Sequence, residues 1–283
     1  MTPADPTDPL GITGATGNIG GRVARALAGG GVAQRLVVRD PSRAPSLPGV
    51  EVARANYGDF EAVRRALAGC RTVLMVSASE SAIRLDEHRT FVDAAADAGV
   101  EHLVYTSYVG AAPDATFTLA RDHFATEEHI KASGMAWTFL RDNLYLDFLP
   151  RMVGADGVVR GPAGSGRLAA VAQDDVAAVA VGVLREAGAH AGSTYDLTGP
   201  EALTLAEVAA VLTEYLAREI SFHDETVEEA FASRASYGAP DWQVEAWVST
   251  YTAIAAGELA GISDDVERLV GRPPLSLREV LGR

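Results

Sequence analysis

The chain is 283 residues long, 48% hydrophobic and 22% charged, with a mean hydropathy of +0.07, so it buries a core and is not a disordered polymer. Its formal net charge is −14 and no lysine or arginine run offsets it, which argues against a nucleic-acid partner. A single cysteine, Cys70, excludes an intramolecular disulfide framework and any multi-thiolate metal site, and its surroundings suit a small buried filler. The opening Met1-Thr2-Pro3-Ala4-Asp5-Pro6 is proline-rich and acidic, unlike a leader peptide. No apolar stretch approaches the roughly 18 residues of a membrane helix. The expectation is a cytoplasmic protein that does not insert into membranes.

Leu10-Gly11-Ile12-Thr13 predicts a buried first strand ending in a glycine turn. From Ile19, the residues Val23, Ala26 and Leu27 recur at helical spacing until Gly29-Gly30-Gly31 stops the helix. Strands are predicted at 35–39 and 50–55, then a helix from Phe60 to Ala68 with Asp59 as its N-cap. A fourth strand at 71–77, a helix over 84–98, a fifth strand at 102–107, a helix over 121–132 and a sixth strand at 136–141 follow. Strands with continuous apolar centres alternating with helices mean an α/β, doubly wound parallel sheet covered on both faces.

Past Pro150 the rhythm loosens. Gly154, Gly157, Gly161, Gly164 and Gly166 suggest a hairpin, and Asp174-Asp175 read as the cap of a helix over 176–184. Ser193–Leu197 suits another strand of the main sheet, and Thr204-Leu205-Ala206-Glu207 fits a capping box. The organisation expected is a dinucleotide-binding core over 9–150, with 151–283 supplying remaining core elements and a smaller, mostly helical C-terminal lobe.

Gly14-Ala15-Thr16-Gly17-Asn18-Ile19-Gly20 sets glycine every third residue between the first strand and first helix. One glycine permits the sharp turn, one lets backbone meet a pyrophosphate, and one lets the helix pack closely on the strand. The helix N-terminus then offers free N–H groups and a favourable dipole to the phosphates. At the end of the second strand stands Arg39, where NAD sites usually place a carboxylate, with Asp40 only after it. Arg39 suits a 2′-phosphate, so NADP(H) is the expected cofactor, while Asp40 leaves NAD(H) open. The six histidines form no HExxH pair, so no metal is expected, and His88 and Arg89, on the helix after the fourth strand, could as easily be solvated as belong to a site.

With Ala55-Asn56-Tyr57-Gly58-Asp59, Tyr105-Thr106-Ser107 and Ser133-Gly134-Met135-Ala136-Trp137-Thr138-Phe139-Leu140-Arg141, the glycine turn resembles the NmrA-like branch of atypical short-chain dehydrogenases/reductases, in particular their bacterial NAD(P)H:quinone oxidoreductase type. Gly164-Ser165-Gly166-Arg167 and Leu269-Val270-Gly271-Arg272-Pro273 extend the likeness through most of the chain. The resemblance implies a Rossmann core with NADPH along the strand ends, its pyrophosphate on Gly14, Ala15, Thr16, Gly17, Asn18 and Ile19 and its 2′-phosphate on Arg39. It places Ser77, Ala78, Ser79 and Glu80 beside the nicotinamide half, and Asp142 and Asn143 at the end of the sixth strand. Where those relatives tend to have Arg-Asn-Gly, this chain has Arg141-Asp142-Asn143.

Short-chain reductases commonly use a Tyr-x-x-x-Lys pair to exchange a proton with the substrate. Counted back from Gly134, the lysine position is His123 and the tyrosine position is Leu119. Ser107, Tyr108 and His123 are therefore the candidate catalytic residues, with Tyr105, Tyr145 and Phe148 as candidate pocket wall. A quinone-like small-molecule acceptor fits, because its reduced anion is stabilised and water can protonate it. The alternative is a non-catalytic NADP(H) redox sensor of the NmrA type; a homodimer is compatible with either.

Overall fold

The computed structural model describes residues 8–283, so the opening six residues discussed above lie outside the described part. The elements, in chain order, are β1 (Leu10–Thr13), α1 (Asn18–Gly29), β2 (Gln34–Val38), β3 (Val50–Arg54), α2 (Phe60–Leu67), β4 (Thr72–Met75), α3 (Arg84–Asp97), β5 (His102–Tyr108), α4 (Thr118–Ala132) and β6 (Ala136–Asp142). They continue with β7 (Val158–Gly161), β8 (Arg167–Leu168), α5 (Gln173–Arg185), β9 (Ser193–Leu197), β10 (Leu203–Thr204), α6 (Leu205–Leu216), β11 (Ser221–Asp224), α7 (Val227–Arg234), α8 (Asp241–Ala255), α9 (Asp265–Val270) and α10 (Leu277–Leu281). Two units are formed, and neither is continuous in sequence. The first runs to Ser107 and takes up Phe124–Arg141 and Val176–Tyr195; the second comprises Tyr108–His123, Asp142–Asp175 and Asp196–Arg283.

The main sheet has seven strands in the order β3-β2-β1-β4-β5-β6-β9, a Rossmann-like doubly wound arrangement. The pairs β1–β2, β1–β4, β2–β3 and β4–β5 run parallel, with Ile12 opposite both Leu36 and Leu74. Their continuous apolar runs are buried: Ile12, Leu36, Val73, Leu74, Leu103 and Val104 are fully enclosed. Helix α1 buries Ile19, Val23, Ala24 and Leu27 as one stripe, and α2 is capped by the Asp59 carboxylate, which accepts from the Ala62 N–H at 3.0 Å. The Cys70 thiol is free and buried, and burial raises its pKa. Strand order reverses between β1 and β4, and that is where a crevice opens beyond the carboxyl ends of an open parallel sheet.

In the second unit, the glycine-rich segment after Pro150 reverses once, with Val153 bridged antiparallel to Val159 around Gly154–Gly157, but it does not pair β7 with β8 as a two-stranded hairpin. β7 pairs in parallel with β11, some sixty residues on, with Ser221 opposite Val158 and Asp224 opposite Gly161. β8 pairs antiparallel with β10, Leu203 opposite Leu168. The reason lies in what two of the glycines do. A Cβ on Gly161 would lie 2.2 Å from the Tyr251 ring, and one on Gly166 would lie 2.1 Å from the Ile254 carbonyl oxygen. Those glycines admit close neighbours rather than reverse the chain. The capping box at Thr204 is present and opens α6.

The Asp174-Asp175 pair also differs from expectation, because α5 begins at Gln173, three residues before the expected start at Val176. Both fall in its first turn, and the Gln173 N–H is accepted by Asp147 at 2.9 Å. Asp175 is fully buried and holds the C-terminal segment: it accepts from the Leu275 N–H at 2.7 Å and pairs with Arg272 at 2.6 Å. Asp175→Ala leaves that N–H without an acceptor. We expect a loss of about 2–3 kcal/mol in denaturant unfolding, and an unchanged midpoint would contradict this anchoring. Among the described residues, no helix is long and apolar enough to cross a membrane.

Candidate dinucleotide site

Each glycine of the turn has a separate physical task. Gly14 has φ +64°, a conformation favouring glycine, and its carbonyl accepts from the Gly17 N–H at 2.8 Å. Gly20 lies against the strand end: a Cβ there would be 2.4 Å from the Thr13 carbonyl oxygen and 2.6 Å from that of Gly14. Gly17 has extended backbone, φ −103° and ψ −171°, and is the N-cap of α1. No side chain caps this helix and no acidic residue stands in its first turn, so its positive end is left for an anion. Thr16, Gly17 and Asn18 are exposed there, whereas Ala15 and Ile19 bury their side chains and have backbone to offer.

A groove of about 290 Å³ runs from this turn, with Gly14 and Thr16, past Arg39 and Tyr57 to Ser77, Ala78, Ser79 and Glu80. The wall after β4 is pinned by side chains. The N–H groups of Val76, Ser77 and Ala78 donate in turn to Thr13 Oγ1 at 2.8 Å, Thr106 Oγ1 at 2.8 Å and His88 Nε2 at 2.9 Å. Tyr57 donates to the Val76 carbonyl at 2.7 Å, and Arg84 Nε to the Ala78 carbonyl at 3.0 Å. Three consecutive amide hydrogens and the carbonyls of Val76 and Ala78 are thereby engaged within the protein. His88 is wholly buried, not solvated, because α3 turns Arg84, His88, Phe91 and Val92 inward together. Nothing in its single-residue context signals that placement; the inward stripe at 84, 88, 91 and 92 does.

Arg39 is joined by two arginines that the sequence reading left aside. A second hollow of about 440 Å³ is lined by Arg39, Arg54, Asn56, Asp59 and Arg65. The parallel register that sets Val38 opposite Arg54 brings the ends of β2 and β3 together, and α2 adds Arg65. Among the described residues, neither Arg39 nor Arg54 lies within ion-pair distance of a carboxylate, and Arg65 reaches Glu61 only at 3.9 Å. Asp40 is turned to its own chain, accepting from the Ser42 N–H at 3.0 Å and the Ser42 hydroxyl at 2.7 Å. Those bonds hold its pKa below the usual carboxylate value.

Ser107, at the end of β5, donates to Glu127 Oε1 at 2.6 Å. Glu127 is fully buried and receives Arg141 as a fork, Nε at 2.8 Å and the terminal nitrogen at 2.6 Å. Tyr105 is entirely enclosed, edge-on to His88 and Phe139, and so belongs to the core rather than to a pocket wall. In the second unit, Tyr108 packs on Phe117 and His123 with ring centroids 4.9 and 6.0 Å away, and its shielded hydroxyl has no hydrogen-bond partner among the described residues. Burial first, then the Asp142 and Glu258 charges, raise its pKa. His123 is buried. Asp142 accepts from the Tyr145 hydroxyl at 2.6 Å, and Asn143 donates to the Leu259 carbonyl at 3.1 Å while accepting from the Leu144 N–H. Phe148 is exposed. No group of three or more His, Cys, Asp or Glu side chains among the described residues could hold a metal ion.

An open helix end behind a glycine turn, at the switch point of a parallel sheet, defines a dinucleotide-binding protein of the Rossmann class. Residues 14–187 match the family described as NAD(P)H-binding, more than half of the chain, and the protein belongs to this NmrA-like NAD(P)-binding family. Quinone oxidoreductase 2 of Escherichia coli K12 is 34% identical over 277 residues, covering 95% of this chain and 96% of that protein. The structure of the E. coli NADPH-dependent quinone oxidoreductase QOR2 complexed with NADPH matches with a TM-score of 0.88 and 33% identity, over 96% of this chain and 98% of that one. NAD(P)H azoreductase of Xenophilus azovorans is 31% identical over 95% of both chains. The triphenylmethane reductase of Citrobacter sp. complexed with NADP(H) has a TM-score of 0.86 and 32% identity, over 96% of this chain and 99% of that one. The chain is accordingly an NAD(P)H-dependent oxidoreductase.

Proposed function

We propose that the protein uses NADPH to reduce a quinone or a similar flat, conjugated acceptor. The observation that carries this reading is the engagement of the Ser107 proton by Glu127 at 2.6 Å. A serine so held is a hydrogen-bond acceptor and a poor source of protons, and the positions of a Tyr-x-x-x-Lys pair are taken by Leu119 and His123. An acceptor with little need of an enzymic acid suits such a site, and a quinone is one: its reduced anion is delocalised and takes its proton from water. The names of the quinone and azo reductases among its relatives support the same class of acceptor.

The cofactor supplies a hydride from nicotinamide C4 when bound. The chain's own part is binding and orientation. The backbone of Gly14, Ala15, Thr16, Gly17, Asn18 and Ile19 would take the pyrophosphate, and Arg39, with Arg54 and Arg65, the 2′-phosphate. Ser77, Ala78 and Ser79 would flank the nicotinamide half by hydroxyl and carbonyl groups. Asp142 and Asn143 have their side chains engaged with Tyr145 and Leu259. Tyr108, kept neutral by burial, can offer a hydrogen bond but not release its proton, and His123 is the remaining candidate relay. The test is NADPH oxidation, followed by absorbance, with a panel of quinones. Turnover is the expected result. Tight NADPH binding with no turnover on any acceptor would overturn the reductase reading in favour of a redox sensor.

A further inference from the structure

His88 makes two contacts that fix where its proton is. Its Nε2 receives the Ala78 N–H at 2.9 Å, and a ring nitrogen that accepts must be unprotonated. Its Nδ1 lies 2.9 Å from Thr126 Oγ1 and therefore carries the proton and donates. Thr126 is hydrogen-bonded in turn to the Tyr105 hydroxyl. Only the neutral Nδ1–H tautomer satisfies all three contacts; an imidazolium would point a second N–H at the Ala78 N–H. One turn earlier on α3, Arg84 holds the Ala78 carbonyl, so both polar groups of one residue in the groove wall are set by a single helix. His88 has no solvent exposure.

We infer that His88, as the neutral Nδ1–H tautomer, is the positioning residue of the cofactor groove, holding Ser77–Ser79 in the conformation that receives the dinucleotide. The inference rests on reading that groove as the NAD(P)H site. The imidazole faces Arg84 from its own helix, Tyr57 and Tyr105 with ring centroids at 6.2 and 5.8 Å, and Thr126 from α4. Burial, followed by the Arg84 charge, lowers its pKa well below 6.5, which keeps the accepting state populated at neutral pH. His88 thus acts through the loop, as a fixed acceptor, and exchanges no proton in the reaction.

His88→Leu removes the acceptor while keeping an apolar filler; His88→Gln returns an oxygen near the Nε2 position. For the leucine variant we expect the calorimetric Kd for NADPH to rise about tenfold, the loss of one buried acceptor for a backbone donor, with most of it recovered by glutamine. In the unmodified protein, the imidazole ¹⁵N spectrum should show a protonated Nδ1 and an unprotonated Nε2. A folded leucine variant with unaltered NADPH affinity overturns the inference, as does an Nε2–H tautomer or an imidazolium at neutral pH. If the leucine variant fails to fold, the spectrum of the unmodified protein decides. Absence of NADPH binding by the unmodified protein would instead defeat the groove assignment, a separate failure from the wrong tautomer.

Discussion

Replacing Gly20 by alanine is expected to destabilise the protein by at least about 3 kcal/mol and to abolish NADPH binding with it. The new methyl group would meet backbone on two sides, 2.4 Å from the Thr13 oxygen and 2.5 Å from the Gly14 carbonyl carbon, and neither can turn away as a side chain could. Helix α1 would have to lift off the strand end that it packs against. Gly17→Ala separates the two tasks of the motif. At φ −103° alanine is unstrained, and its Cβ would sit 3.3 Å from the Gly14 oxygen, a tight contact that a few tenths of an ångström relieve. Its stability should change by under about 1 kcal/mol. The methyl would nevertheless stand where backbone must meet a diphosphate, and NADPH affinity should fall on the order of a hundredfold. Thermal melts paired with calorimetry check both. Equal loss of melting temperature in the two variants would show that Gly17 serves the fold and not the ligand.

The second large effect concerns the choice of dinucleotide. Arg39→Ala should weaken NADPH by about 10–100-fold, the worth of one charge-assisted phosphate contact, and leave NADH nearly unchanged. Arg54→Ala and Arg65→Ala should each weaken NADPH by a smaller factor, roughly threefold to tenfold, because exposed charges at longer range are screened. The NADPH constant should also respond to ionic strength more steeply than the NADH constant. An Arg39 variant that loses both cofactors equally would refute the phosphate role. In a protein of net charge −14, three arginines around one hollow with the nearby Asp40 turned onto Ser42 make a local exception to the overall field.

The features readable from sequence were those written locally. The apolar runs of β1, β2 and β4 announce a buried parallel sheet, Asp59 and Thr204 announce helix starts, and the glycine spacing announces the turn. Arg39 was legible as a departure from an expected carboxylate. Arg54 was legible in principle too: Val37-Val38-Arg39 and Val52-Ala53-Arg54 end in the same way, and parallel pairing of neighbouring strands aligns those ends. The burial of His88 was legible in its helical stripe, but the hydrogen-bond partners of His88 and Glu127 were not. Their partners lie at Ala78 and Thr126, and at Ser107 and Arg141, and only the folded sheet assembles those sets. Beyond Pro150, Gly154 and Gly157 do reverse the chain, but Gly161 and Gly166 misled, because a glycine needed for a reversal and one needed to admit the Tyr251 ring are written with the same letter.

The interleaving of the two units has a consequence for how the molecule is made. The first unit waits for the segment ending at Tyr195 before its last strand can be laid, and the second waits for residues up to Arg283. Such long-range closure slows folding and leaves apolar strand edges uncovered meanwhile. During synthesis, most of the polypeptide must therefore leave the ribosome before either half is whole. A product cut anywhere between Tyr108 and Tyr195 would inherit neither half intact.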